Sequence, residues 1–223
     1  MSIRTLGPVD PELASWNDRM YEAHPTPYGG GIAGRIEAAR VRAVLDLAAI
    51  GPGDRVLEVG CESGRLLAAV PPCRRLVGVD ISRRALEDAR ARLGPRDVEL
   101  FQVDALRGLP FDRGAFDVIL CSEMLEHVSE PGRVVANIHA VCAPTTRVVV
   151  SVPIEAPKVL VKTVLARLGL LERLFPGIEP AQSEWHVHAF SPAMLRRVVT
   201  ERFTIERTRR VIAAHEVALL RAR

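Results

Sequence analysis

The chain has 223 residues, 48% of them hydrophobic, with a formal net charge of +3 and a pI near 8.9. That length and apolar content suit one medium α/β domain with its own core, and they leave no need for a second domain. The basic residues are nearly all arginines interspersed with acids, which is a poor footprint for nucleic acid. Cys61, Cys73, Cys121 and Cys142 lack C-x-x-C spacing, so they read as reduced thiols, and neither a disulfide framework nor zinc is expected. The first residues contain no apolar run of the signal-peptide kind, and no stretch is long and apolar enough to span a bilayer, so the expected compartment is cytoplasmic.

Residues 1–31 read as a polar arm that carries Trp16, Tyr21, His24 and Tyr28, with a short helix over Pro11 to Tyr21. An aromatic-bearing arm of this kind is placed to cover a ligand, or else to pack on a sheet edge. From Ile32 to Leu47, apolar residues at Ile36, Ala39, Val44 and Leu47 predict a helix that ends before Gly51-Pro52-Gly53. Val56-Leu57-Glu58-Val59 then predicts a buried strand, and Gly60 and Gly64 bracket a tight turn into a helix that stops at Pro71-Pro72. In open α/β sheets a ligand lies over such a turn, beyond the carboxyl ends of the strands.

Arg75 to Asp80 reads as a second buried strand with an acid at its end, followed by Ile81 and by a helix capped by Ser82. Asp80 lies twenty residues beyond Gly60, a spacing that suits an acid binding the hydroxyls of a nucleoside ribose. A third strand over 98–103 ends at Asp104-Ala105, and a fourth over 116–122 ends at Ser122. A helix over 131–141, a strand over 147–152, a helix over 191–201 and two terminal strands, Phe203 to Thr208 and Glu216 to Leu220, complete the pattern. Between the fifth strand and the last helix, residues 155–180 read as an inserted lid. Pro157 to Phe175 has apolar residues at near-helical spacing and holds both lysines of the chain, Lys158 and Lys162.

Neither the three-glycine dinucleotide fingerprint nor the phosphate-loop pattern is present. The spacing Glu58-x-Gly60-x-Glu62-x-Gly64 instead resembles motif I of the class I S-adenosylmethionine-dependent methyltransferases, with Glu62 standing where that family usually has its middle glycine. Phe116-Asp117-Val118-Ile119, followed by Glu123-Met124-Leu125-Glu126-His127-Val128, is similar to motif IV and its downstream turn in small-molecule members of the ubiquinone-biosynthesis type. The resemblance covers about Asp54 to Arg223. It implies a Rossmann-like, doubly wound α/β fold with a seven-stranded sheet, mostly parallel with one antiparallel strand near the C-terminus. Residues 32–223 would form that domain.

The resemblance further implies S-adenosylmethionine as cofactor and methyl transfer to oxygen or nitrogen of a small-molecule acceptor. The cofactor would be held by Glu58, Gly60, Cys61, Gly64, Asp80, Ile81, Asp104, Ala105 and Ser122, with Tyr28 from the arm. Asp104 matches the position whose carboxylate accepts from the adenine amine. His127 is the candidate general base. Glu123, Glu126 and His127, at i, i+3 and i+4, would share one helical face and with His186 and His188 would make a divalent-metal set, similar to that of the small-RNA 2′-O-methyltransferases. Metal-assisted RNA methylation is therefore one alternative. A nicotinamide oxidoreductase and a catalytically inactive cofactor-binding partner subunit are two more. Residues 157–175 shape the acceptor pocket, touch a membrane surface or form a dimer contact, and a monomer or homodimer is expected.

Overall fold

The computed structural model describes residues 3–23, 31–154, 164–170, 173 and 187–223. At its centre is an eight-stranded sheet in the order β1-β4-β3-β2-β5-β6-β8-β7. The inner strands β2 (Arg55–Val59), β3 (Arg75–Asp80), β4 (Glu99–Gln102), β5 (Val118–Ser122) and β6 (Arg147–Pro153) all run parallel. They read as nearly unbroken apolar runs because helices cover both faces. Chain order reverses between β2 and β5, so a crevice opens at the carboxyl ends of these two neighbours. Only β8 (His215–Ala222) runs against the rest, pairing with β6 and with β7 (Phe203–Val211).

The sheet has one strand more than the seven expected. Arg4 and Thr5 of the arm form a two-residue β1 beside Phe101 and Gln102 of β4, and Leu6 N donates to Gln102 O at 3.0 Å. An open parallel edge offers unpaired backbone groups, and this short arm segment satisfies them. Strand β7 also departs from expectation. Alternating burial is predicted for it, yet only Phe203 and Val211, at its two ends, are buried. It is the outermost strand, so both its edge and one of its faces meet solvent.

Side-chain period two divides the core between the two faces. On one, Leu57, Val59, Val77, Ile119, Val148 and Val150 pack with α5 (Pro131–Val141) and α6 (Pro192–Val199). On the other, Val56, Leu76, Val118, Leu120 and Val149 meet α2 (Gly31–Ala48), α3 (Arg65–Ala69) and α4 (Arg83–Leu93). Helix α1 (Pro11–Ala23) begins at Asp10, whose Oδ1 accepts from the backbone N–H of Glu12 and Leu13 at 3.0 and 3.2 Å. Ser82 caps α4 by accepting from Ala85 N at 3.0 Å, and Ser191 caps α6 by accepting from Met194 N at 3.2 Å.

The inner face of α2 differs from its predicted one. Ile36 and Ala39 are half-buried, whereas Glu37, Arg40, Ala43, Val44, Leu47 and Ala48 face the sheet. Two charges point inward because they pair with each other, i to i+3, and so enter together.

Asp117, in the stretch that resembles motif IV, has a structural task. Its Oδ2 accepts from Arg55 N and Nε at 2.8 and 2.9 Å, and its Oδ1 accepts from Arg55 Nη2 at 2.9 Å, which ties the start of β2 to β5. The guanidinium lowers the Asp117 carboxyl to about 2. A depressed carboxyl contributes stability above its unfolded pKa, near 4, and loses it as pH falls toward 2. The pair is about one-third exposed, so its worth is about 1 kcal/mol or less. Asp117→Asn is expected to lower stability by that amount at pH 7 in urea melts, with the difference from wild type vanishing near pH 2. A constant difference across this range would show that Asp117 acts through packing.

Candidate functional site

The candidate cofactor corner is built where β2 ends. Gly60 N and Cys61 N donate to Val79 O at 2.9 and 3.0 Å, which folds the loop over the end of β3. Gly60 and Gly64 take φ of 74° and 72°, and Glu62 between them takes φ of 44°. Glu62 thus adopts the left-handed conformation that a glycine would supply freely, at a cost on the order of 1 kcal/mol. Asp80 holds it there: Oδ2 accepts from Glu62 N at 2.8 Å while Oδ1 accepts from Ser82 N at 2.9 Å.

Both glycines are also demanded by the protein's own packing. A side chain at Gly60 would stand 2.5 Å from Met124 Cγ, and one at Gly64 would stand 3.1 Å from Ala89 Cβ. The expectation that these positions are bare for a ligand is therefore only half the account. Cys61 contributes backbone to the loop, while its thiol is buried beneath it near Gly78. Burial raises that thiol well above its ordinary range, so it stays protonated.

Two carboxyls in the corner are perturbed. Burial pushes Asp80 up to about 6 against the backbone hydrogen bonds that oppose it. Glu58 is more deeply buried and is pushed well above the carboxylate range, with the Arg40 charge only partly opposing the shift. Its Oε2 has no hydrogen-bond partner among the described residues. A half-buried carboxylate at the strand end, whose oxygens each retain a lone pair, and an unsatisfied buried carboxyl beside it suit a polar ligand such as a nucleoside.

The other predicted cofactor residues line the same rim. Ile81 follows Asp80, and its carbonyl accepts from Gln102 Nε2 at 3.0 Å. Val103 N donates to Asp80 O at 2.9 Å, which brings the end of β4, and with it Asp104 and Ala105, alongside. Asp104 is buried, caps its own loop by accepting from Leu106 N at 3.0 Å, and lies 3.4 Å from Arg107 Nε. Ala105 O accepts from Asn137 Nδ2 at 2.8 Å. Ser122 ends β5 and is buried. Tyr28 lies outside the described residues, as do His186, Lys158 and Lys162.

The acidic and histidine residues do not share the single face expected of them. Glu123 has φ of 52°, so the chain turns sharply before the short 3-10 helix Leu125–His127 begins. Its carboxylate turns toward β6 and β8, where Oε1 accepts from Ser151 Oγ at 2.9 Å and Oε2 lies 3.2 Å from His215 Nε2. Glu126 is buried, with Oε1 3.9 Å from His127 Nε2, and His188 turns its Nε2 to Ser129 O at 3.2 Å. Among the described residues, no three His, Cys, Asp or Glu side chains form a group fit to hold a metal. Segment 187–188 docks on the same turn, with Val187 N and His188 N donating to Glu126 O at 2.8 and 3.2 Å.

Next to this rim runs a buried polar chain that sequence reasoning missed. Arg40 donates to Glu37 through Nε at 2.9 Å and through Nη2, and its Nη1 donates to Ser122 Oγ. Ser122 and Ser151 hydroxyls are 2.7 Å apart, and because Ser151 gives its proton to Glu123, Ser122 donates to Ser151. The chain Arg40, Ser122, Ser151, Glu123, His215 thus runs from α2 across the carboxyl ends of β5 and β6 to the start of β8. Its only trace in the sequence is Ser151 interrupting a run of valines.

The geometry can be set beside known proteins. Residues 57–150 match the family model described as "Methyltransferase domain". The chain is 41% identical over 87 residues to the ubiquinone biosynthesis O-methyltransferase of Thiobacillus denitrificans, a match covering 38% of this chain and 38% of that relative. The match therefore spans well under half of the relative's own length. Among solved structures, the N-methyltransferase NodS of Bradyrhizobium japonicum in complex with S-adenosylhomocysteine superposes with a TM-score of 0.63 at 18% identity, over 92% of this chain and 99% of that one. The [4+2]-cyclase SpnF gives a TM-score of 0.69 at 15% identity, over 100% of this chain and 99% of that one. Motif spacing, sheet order and the match to the methyltransferase-domain model over residues 57–150 agree, and what the chain is similar to is the class I S-adenosylmethionine-dependent methyltransferases, whose Rossmann-like fold it has.

Proposed function

We propose that this chain transfers a methyl group from S-adenosylmethionine to an oxygen or nitrogen of a small-molecule acceptor. The observation that carries the reading is Asp80: a carboxylate at the end of β3, bonded to the backbone of the glycine loop at the point where chain order reverses. It would receive the ribose hydroxyls. Asp104 would face the adenine amine, with Ile81 and Ala105 beside it. Glu58, Ser122 and the backbone of Gly60, Cys61 and Gly64 would hold the methionine end, with Tyr28 contributed by the arm.

The cofactor, when bound, supplies a methyl group already activated on a sulfonium. The protein's share is then alignment, exclusion of water and handling of one proton. His127, half-buried on the turn after β5, would take the acceptor's proton on its imidazole. The acceptor itself would be selected by the arm and by residues 155–180. The [4+2]-cyclase SpnF has the same fold, so methyl transfer is a matter for direct assay.

Two experiments test this reading. Titration calorimetry with S-adenosylhomocysteine should show binding that weakens about tenfold between pH 7 and pH 5, as a carboxyl near 6 gains its proton, and this pH dependence should be absent in Asp80→Asn. Binding of NADH in place of S-adenosylhomocysteine would overturn the proposal. With labelled S-adenosylmethionine and a panel of phenol and amine acceptors, His127→Ala should lower kcat by about a hundredfold or more while leaving S-adenosylhomocysteine affinity within about threefold. Parallel loss of both would make His127 a structural residue.

A further inference from the structure

Away from the cofactor corner, a groove of about 460 Å³ runs between the outer side of α2 and the end of β7. Arg35 and Arg42 stand on its helix side and Arg209 and Arg210 on its strand side, above a floor of Ala38, Ala39 and Ala43. Arg209 pairs with Asp46 at 2.7 Å and Arg210 with Glu216 at 3.2 Å. Arg35 and Arg42 form no ion pair with a described residue, so the groove has a surplus of positive charge.

One end of the groove is formed by Ile212, at the tip of the hairpin between β7 and β8. Ala214 N donates to Val211 O at 2.9 Å and closes a turn whose central residues, Ile212 and Ala213, have φ of 49° and 52°. This is the mirror-image hairpin turn that Asn-Gly adopts readily and that a β-branched side chain opposes. Ile212 regains nothing from packing, since it is 62% exposed. Ile32, 42% exposed, lies one turn before Arg35 on the same helix face. Helix α2 runs toward the start of β2, and the end of β7 lies level with the end of β6 on the far side of β8, so both isoleucines lie at the carboxyl end of the sheet.

We propose that this surface seats the protein on an anionic lipid bilayer, with Ile212 and Ile32 entering the interface and the arginines meeting lipid phosphates. Strain held at an exposed apolar tip has no folding benefit, and a tip of that kind ringed by guanidinium groups matches the layering of a bilayer surface, apolar below and anionic above. A soluble anion would engage the arginines but leave both isoleucines in water. The docking site differs from residues 157–175 and does not depend on the methyl-transfer reading. It turns the mouth of the cofactor corner toward the membrane.

The test is sedimentation of the purified chain with phosphatidylcholine vesicles and with vesicles rich in phosphatidylglycerol. Binding to the anionic vesicles alone, abolished by molar salt, is expected. Ile212→Asn should weaken it about tenfold while melting at the same or a higher temperature, because Asn accepts the left-handed turn. Arg35→Glu combined with Arg42→Glu should weaken it by a similar factor or more. The proposal is overturned if the wild type ignores anionic vesicles, or if both variants bind like wild type. Displacement by millimolar inorganic phosphate would also overturn it, by showing a discrete anion site.

Discussion

The constraint on which much of this structure depends is a positive charge kept out of water. Arg40 of α2 is 6% exposed and sits over the carboxyl ends of β5 and β6, beside the crevice. An unpaired guanidinium there would cost several kcal/mol, so Glu37, Ser122 and Ser151 must all be in place to receive its protons. That requirement sets the rotation of α2 about its axis and its height over the sheet. It also fixes Ser122 and Ser151 in one hydrogen-bonding sense, passing a donor toward Glu123. With its left-handed backbone, Glu123 brings its carboxylate to both Ser151 and His215.

The same turn explains how the two halves of the crevice are joined. Once the chain reverses at Glu123, Met124 is laid across Gly60, and the loop after β5 becomes the wall of the loop after β2. The glycine corner and the candidate catalytic turn are therefore one packing unit. A change on either side is transmitted through direct contact, with no need for a longer path.

Much of the fold was legible because its signals are local. Buried strands of four to seven residues, several closed by glycine, acid or serine, and helices opened by Ser82 and Ser191 follow from periodicity and capping. Asp80 was legible for the same reason, as an acid at the end of a strand. What could not be read depends on partners remote in sequence. The inward face of α2 needs Ser122 and Ser151, 82 and 111 residues away from Arg40, to make a buried charge acceptable. Glu123 was assigned to a helical face because nothing in its neighbours announces a left-handed residue. The added strand β1 rests on two residues whose pairing becomes visible only beside β4.

The two borders of the sheet are finished in opposite ways. On one side the chain's own Arg4 and Thr5 occupy the edge of β4, and on the other β7 presents Glu206, Arg207, Arg209 and Arg210, all exposed, along its open edge. A parallel sheet that ended bare at β4 would offer a template for strand-by-strand growth between molecules. At one border the arm acts as a stopper, and at the other exposed charged side chains oppose the addition of a second copy. Cover of the β4 edge therefore rests on a two-residue pairing, a few hydrogen bonds that are easily lost if those residues are trimmed, tagged or pulled away.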